Sequence, residues 1–377
     1  MPSNPPSSLL WPRVIGQARV KSLLLSTIRS NRLAHAYLFY GPEGVGKDAM
    51  GLEIARMLHC ERGGDTACGV CASCVKMDSL QHPDVRLITA LPVGKGEDRD
   101  DGPLDKLTAG ELDEIRTELA KKGSDPYYAI SITRASSIKI NSIRDIRREV
   151  PLSTLGSQRR VYVISNADEM GNEAANMLLK TLEEPPPQTM FILTTAHREA
   201  LPQTIVSRCQ QVRFDPITEP EIQSALMERK GIDHTQAVLV ARLSDGSYSW
   251  ALDLLEKDLM QERIDVVDFI SNTLGSRHIE VGEIIERITA ERDRGRVVRF
   301  LHLMLIWMRD AMVLARGGSV INVDQSERLS KFVAVFPRAN LSAAMADIEH
   351  AISLVERNVY ITLVLYSLAG RLKTNIL

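Results

Sequence analysis

Read as apolar and polar positions alone, the chain changes character once along its length. "ARVKSLLLSTIRSNRL" (18–33) places its apolar residues at helical intervals, and the apolar run of "AHAYLFY" (34–40) predicts a buried strand. A glycine-rich turn follows. "GKDAMGLEIARMLHC" (46–60) then returns to helical spacing, with Ala49, Leu52, Ala55, Met57 and Leu58 available for packing. Further strands are predicted at "VRLI" (85–88), "VYVIS" (161–165) and "MFILTT" (190–195), with helical patterns between them. One of these, "GNEAANMLLKTLEE" (171–184), is ended by three prolines at 185–187, which lack an N–H and clash with the preceding turn. Strands alternating with helices argue for a parallel α/β sheet.

From Thr218 onward the strands stop. "TEPE" has the form of a capping box, with Thr218 as N-cap, Glu221 reaching back and Pro220 in the first turn. Helices are predicted from there to the last residue, broken at "DGS" (245–247), "LGSR" (274–277) and "RGGSVINVD" (316–324). One segment stands apart from this scheme. "PVGKGEDRDDGPLDK" (92–106) is charged and turn-rich, and "TAGELDEIRTELAKK" (108–122) is a polar amphipathic helix. It reads as an exposed insertion, a solvated excursion without chemistry of its own.

Composition narrows the class. A chain of 377 residues with 44% hydrophobic residues can build two or three domains with real cores. A net charge of −2 gives no overall attraction for nucleic acid. The opening "MPSNPPSSLLWPRVIG" has no cationic stretch leading into an apolar one, and no apolar run approaches the ~18 residues of a membrane span. The expectation is a soluble cytoplasmic protein.

The cysteines change the picture locally. Cys60, Cys68, Cys71 and Cys74 follow a C-x7-C-x2-C-x2-C spacing, and Cys209 stands alone. In a reducing compartment such a cluster points to metal before disulfides. Two C-x2-C steps sharing Cys71 bring three thiolates together, and the Gly63-Gly64 turn lets Cys60 fold back as the fourth. Four thiolates fill a tetrahedral Zn²⁺ site and leave no place for water, so the site is structural. A DNA-contacting zinc ribbon is the other reading, but Arg62 and Lys76 give it little charge.

The turn after the first strand carries the candidate chemistry. Gly41, Gly44, Gly46 and Lys47 fit the phosphate-loop pattern G-x-x-x-x-G-K, set between a strand and a helix as that loop requires. The next residue should be Ser or Thr to hold Mg²⁺, and it is Asp48. A carboxylate ~5 Å from a phosphate charge, at an effective dielectric of ~20, costs roughly 3 kcal/mol, about two decades of affinity. Binding of ATP and Mg²⁺ is therefore put in doubt.

The stretch "NADEMGNEAANMLLKTLEEPPPQTMFILTTAHREALPQTIVSRCQ" (166–210) resembles the AAA+ subunits of the bacterial DNA polymerase III clamp loader. "ANMLLKTLEEPP", "FILTT" and "LPQTIVSRC" carry the resemblance. The phosphate loop, the cysteine insert, "HPD" at 82–84 and the terminal helices match in order, and only about 89–135 looks extra. The resemblance implies a RecA-like AAA+ core at 1–214, with the zinc module at 60–74 inside it. A small helical lid at 215–258 and an all-helical, oligomerising collar at 259–377 would follow. It also implies a place in the polymerase III holoenzyme beside gamma/tau-like motors and a delta-like subunit, with the sliding clamp and primer–template DNA as indirect partners.

Against the motor members of that family, three parts are missing. Asp48 replaces the Mg²⁺ hydroxyl. Ser165 and Asn166 stand where an acidic pair should end the strand, and Ser249 in "DGSYSWALDLL" replaces the lid arginine. What the resemblance leaves is Arg208 of "SRC", which the family presents to a neighbour's ATP as an arginine finger, worth ~10³–10⁵ in rate in such systems. The pattern resembles the family's non-hydrolysing member, without ATPase or polymerase chemistry in the isolated chain.

The alternative is an ATP-hydrolysing gamma/tau-like motor, using Asp168-Glu169 as its acids or relying on Asp48. A free-standing zinc-dependent DNA-binding protein is the third reading, and the near-neutral charge opposes it. Lys139, Arg144, Arg147, Arg148, Arg159 and Arg160 form one basic patch around "INSIRDIRREV" (140–150), in an area that lines a DNA channel in the family.

Overall fold

The structure, a computed structural model, describes residues 11–98, 100–149, 159–255, 259–290, 293–357 and 359–377. The chain divides into two compact units: Met1–Ala237 with Asp245–Trp250, and Val238–Ser244 with Ala251–Leu377.

In the first unit, α1 (Ala18–Arg29) leads to β1 (Ala36–Tyr40), and the glycine loop leads from β1 into α2 (Lys47–Leu58). Next come α3 (Ala72–Asp78), β2 (Val85–Ile88), α4 (Ala109–Ser124), α5 (Ile140–Glu149) and β3 (Arg160–Ile164). The unit continues with α6 (Asn172–Glu183), β4 (Thr189–Thr195), α7 (Gln203–Arg208), β5 (Gln210–Arg213) and α8 (Glu219–Lys230). The five strands form one parallel sheet in the order β2-β3-β4-β1-β5, with Leu38 of β1 level with Leu193 of β4 and Gln211 of β5.

Every residue of β4 is buried, as expected for a parallel strand covered on both faces. β5 has no such signature: Gln210, Gln211 and Arg213 are exposed and only Val212 is buried. It is an edge strand held by its pairing with β1, and for that reason the apolar pattern did not announce it. The order matters for the site. The glycine loop leaves the carboxyl end of β1, beside the ends of β3 and β4, where open parallel sheets bind their ligands.

The stretch 92–122, expected as a solvated excursion, and the rest of the extra 89–135 sequence depart from that expectation. α4 forms as predicted, opened by a capping box in which Glu111 accepts from the Thr108 amide at 2.8 Å. Leu107, Ile115 and Ile132 form a small core of their own. Lys122 is 5% exposed and Tyr127 3%, and both lie against the glycine loop. The misreading has a physical cause: a lysine on the polar face of an amphipathic helix looks solvated until its buried partner is known.

The second unit is all-helical where it is described. It takes in parts of α9 (His234–Leu243) and α10 (Tyr248–Leu255), then α11 (Leu259–Leu274), α12 (His278–Thr289), α13 (Arg294–Leu314), α14 (Ser326–Val335), α15 (Leu341–Glu356) and α16 (Ile361–Ile376). Arg299 of α13, 1% exposed, donates to Glu262 at 2.7 and 3.0 Å and to Asp253 at 3.0 Å. Trp307 packs edge-on against Phe332, with ring centres 5.0 Å apart. No helix among the described residues is long and apolar enough to cross a membrane.

Candidate functional site

Gly41, Gly44 and Gly46 all adopt positive φ, at 144°, 68° and 96°, so the loop's path is one that glycine takes without strain. Lys47 opens α2, and its ammonium donates to the loop's own carbonyls, Gly41 at 2.7 Å and Pro42 at 2.5 Å. Burial lowers its pKa against the opposing pull of Asp48, Glu43 and Asp168.

Asp48 is saturated with donors. It accepts from the Ser165 hydroxyl at 2.8 Å and the Thr194 hydroxyl at 2.7 Å, and it pairs with the Lys122 ammonium at 2.9 Å. Burial by itself would raise its pKa. The charge of Lys122 and the hydrogen bonds from Thr194, Lys122 and Ser165 outweigh that, and its carboxyl lies below the ordinary value. Where a phosphate loop holds Mg²⁺ through a hydroxyl, this one holds an ion pair formed within the chain.

Ser165 follows the last residue of β3 and is committed to Asp48. Asn166, at φ 50°, donates instead to Glu169 at 3.0 Å. Asp168 accepts from the Thr195 hydroxyl at 2.6 Å, so the Asp168-Glu169 pair lies in the short 3-10 turn after the strand, not at the strand end. Burial, with Asp168, Glu43 and Asp48 nearby, pushes the Glu169 carboxyl up against its hydrogen bond from Asn166. Ser249, which the resemblance expects at the place of a lid arginine, donates to the Tyr127 carbonyl at 2.7 Å.

Arg208 ends α7, two residues before the start of β5, which pairs with Tyr37 at the end of β1 away from the loop. Half-exposed, it reaches Glu183 at 2.7 Å and the Thr204 carbonyl at 3.1 Å. The structure thus gathers positions 41–48, 165, 166 and 249 around the loop and sets Arg208 elsewhere.

The four cysteines converge as the spacing predicts. All four sulfurs lie within 4.8 Å of one another, and Cys68 Sγ is 4.0 Å from Cys74 Sγ. Thiolates at ~2.3 Å around a tetrahedral ion stand roughly 3.8 Å apart, so the cluster fits Zn²⁺. The Cys68 amide donates to Cys60 Sγ at 3.3 Å, and the Cys74 amide donates to Cys71 Sγ at 3.5 Å, capping α3. Hydrogen bonds, first from the Val70 amide, draw the Cys68 thiol down to about 6, while burial pushes Cys74 up to about 12.

Sequence reasoning missed Lys122, Tyr127 and Thr194. Thr194 lay in "FILTT" and Lys122 in the helical stretch 108–122 read as solvated, but neither was given a role, and Tyr127 lay in no quoted stretch. The basic patch is not uniformly available: Lys139 is buried in an ion pair with Glu97 at 2.6 Å, and Arg148 donates to the Asp100 carbonyl at 3.0 Å. The side chain of Arg147 lies outside the described residues.

A family model described as "DNA polymerase III, delta subunit" matches residues 16–218. The chain is 32% identical over 246 residues to the DNA polymerase III delta-prime subunit of Bacillus subtilis, covering 65% of this chain and 61% of that one. It is 29% identical over 250 residues to the tau subunit of the same organism, covering 65% of this chain and 37% of tau. A DNA polymerase III gamma-subunit-related protein from Thermotoga maritima superposes with a TM-score of 0.42 at 13% identity, over 95% of this chain and 99% of that one.

Proposed function

Because the chain belongs to the bacterial DNA polymerase III clamp-loader AAA+ family, we propose that it works as the delta-prime-like, non-hydrolysing subunit of that assembly. The observation that carries this reading is Asp48, bound by Lys122, Ser165 and Thr194 at the position where a motor subunit needs a Mg²⁺-holding hydroxyl. Ser165 and Asn166 supply no carboxylate at the strand end to position water, and Asp168 and Glu169 are engaged with Thr195 and Asn166. A chain built in this way contributes to a neighbour's chemistry, not its own.

That contribution is assigned to Arg208. Held at the end of α7 and paired with Glu183, its guanidinium would exchange that carboxylate for the γ-phosphate of an adjacent gamma/tau-like subunit, neutralising the charge that develops there. The proposed division of labour is a RecA-like core at 1–214, a lid at 215–258 and a collar at 259–377 through which the subunits associate. Cys60, Cys68, Cys71 and Cys74 hold a structural Zn²⁺ in the core. The sliding clamp and primer–template DNA are then partners of the whole assembly.

The test compares reconstituted complexes that differ only at position 208. Arg208→Ala leaves assembly intact and lowers the DNA- and clamp-stimulated ATPase at least tenfold at the adjacent site. Arg208→Lys rescues poorly, since an ammonium lacks the planar fork. An unchanged rate would reduce the chain to a scaffold. ATP turnover by the isolated chain above a Lys47→Ala control would instead make it a motor of the gamma/tau type.

A further inference from the structure

We propose that residues 107–135 are an internal occupant of this chain's own phosphate loop, with Lys122 standing in for a divalent cation and Tyr127 packed against Gly46. The inference rests on the non-hydrolysing reading but goes beyond it: it says why nucleotide is excluded altogether, and by what.

The cation's place is taken by an ammonium. Lys122 Nζ lies 2.9 Å from Asp48 and donates its second bond to the Tyr128 carbonyl at 2.9 Å, so it is fixed from both sides. Asp48 carries one negative charge, Lys122 one positive charge, and the hydroxyls of Ser165 and Thr194 complete the carboxylate's partners. A metal entering here would have to expel a buried lysine.

The last glycine of the loop is covered by a phenol. A Cβ built on Gly46 would lie 2.6 Å from the Tyr127 hydroxyl, which itself accepts the Ile15 amide at 2.8 Å. The ring meets Tyr248 edge-on at 5.0 Å, the Tyr127 carbonyl takes the Ser249 hydroxyl at 2.7 Å, and Arg229 lies over both rings.

The occupant is built, not draped. Arg13 donates to the carbonyls of Gly123 and Ser124 and pairs with Asp78, which ties the end of α4 to α3. Glu118 accepts from the Tyr128 hydroxyl at 2.9 Å and the Ser131 amide at 2.9 Å, closing the turn that carries Tyr127. Leu107, Ile115 and Ile132 anchor the segment apolarly. Such a subunit keeps one nucleotide-independent conformation.

The experiment titrates a fluorescent ATP analogue with Mg²⁺ against the full chain. Wild type and Asp48→Thr show no binding at millimolar analogue. The triple variant Asp48→Thr, Lys122→Ala, Tyr127→Ala gains at least a hundredfold and binds in the micromolar range, with its zinc content showing that the fold is kept. Tyr127→Phe provides a second reading that needs no nucleotide. It removes the acceptor at constant shape, so the Ile15 amide exchanges its hydrogen at least tenfold faster. Analogue binding by wild type without turnover would overturn the occupant and leave the non-hydrolysing reading standing. A folded triple variant that binds nothing, or an Ile15 amide indifferent to Tyr127→Phe, would also overturn it.

Discussion

A carboxylate at position 48 is costly beside phosphate and inexpensive beside Lys122. Removing one partner of a buried pair leaves the other charge uncompensated, typically a loss of about 3–5 kcal/mol. Lys122→Met is expected to lower stability by that amount in urea unfolding, although Lys122 lies in a segment that reads as solvated. The pair also has a pH signature. The Asp48 carboxyl lies below its ordinary 3.8 in the folded chain, so the stabilisation is complete above that value and is lost as pH falls through the lowered one. Acid unfolding below pH ~4 should be less steep in Asp48→Asn. Lys21 works in the opposite range. Buried and donating to the Val14 carbonyl at 2.7 Å, its pKa falls from 10.5 to about 8, chiefly by burial. Between those values the unfolded chain holds a proton that the folded chain has released, so this contribution to stability rises with pH. The urea midpoint of wild type relative to Lys21→Met should climb across that window. The loop glycines and Lys47 were legible because their meaning lies in adjacent residues. Lys122 was not, because its partner is 74 positions away and charge pairing leaves no periodic trace.

Elements were read with uneven success, and burial explains the pattern. β2 was legible to the residue, and α6 nearly so between its glycine and its prolines. The capping box at Thr218 formed as written, with Glu221 accepting from the Thr218 amide at 3.1 Å. β5 escaped because an edge strand with three exposed polar residues offers no apolar run. The cysteine element is the most self-contained: Cys71 both caps α3 and belongs to the cluster. Untagged protein should carry about one zinc per chain. Cys71→Ser should lose the metal and the protection of α3 amides together, measured by elemental analysis and hydrogen exchange. Metal-free wild type that remains folded with four freely titrating thiols would contradict the assignment.

At the scale of the whole molecule, the α/β body and the helical remainder were both foreseen, whereas the use of 107–135 inside the body was not. The all-helical unit has its own polar centre in Arg299, whose two acidic partners would be left facing each other on its removal. Arg299→Met should cost about 3–5 kcal/mol, seen as faster exchange of α13 amides, while zinc content in the other unit stays constant. The glycine loop has a further consequence for experiment. Added methyl groups at Gly41, Gly44 and Gly46 would run into the Phe214 carbonyl, the Ser247 hydroxyl and the Tyr127 hydroxyl. Loop variants are routinely made as dead controls for nucleotide use, on the premise that they spare everything else. In this chain the glycine variants, unlike Lys47→Ala, would report damaged packing, and a phenotype scored as loss of ATP binding would be a packing defect under the wrong label.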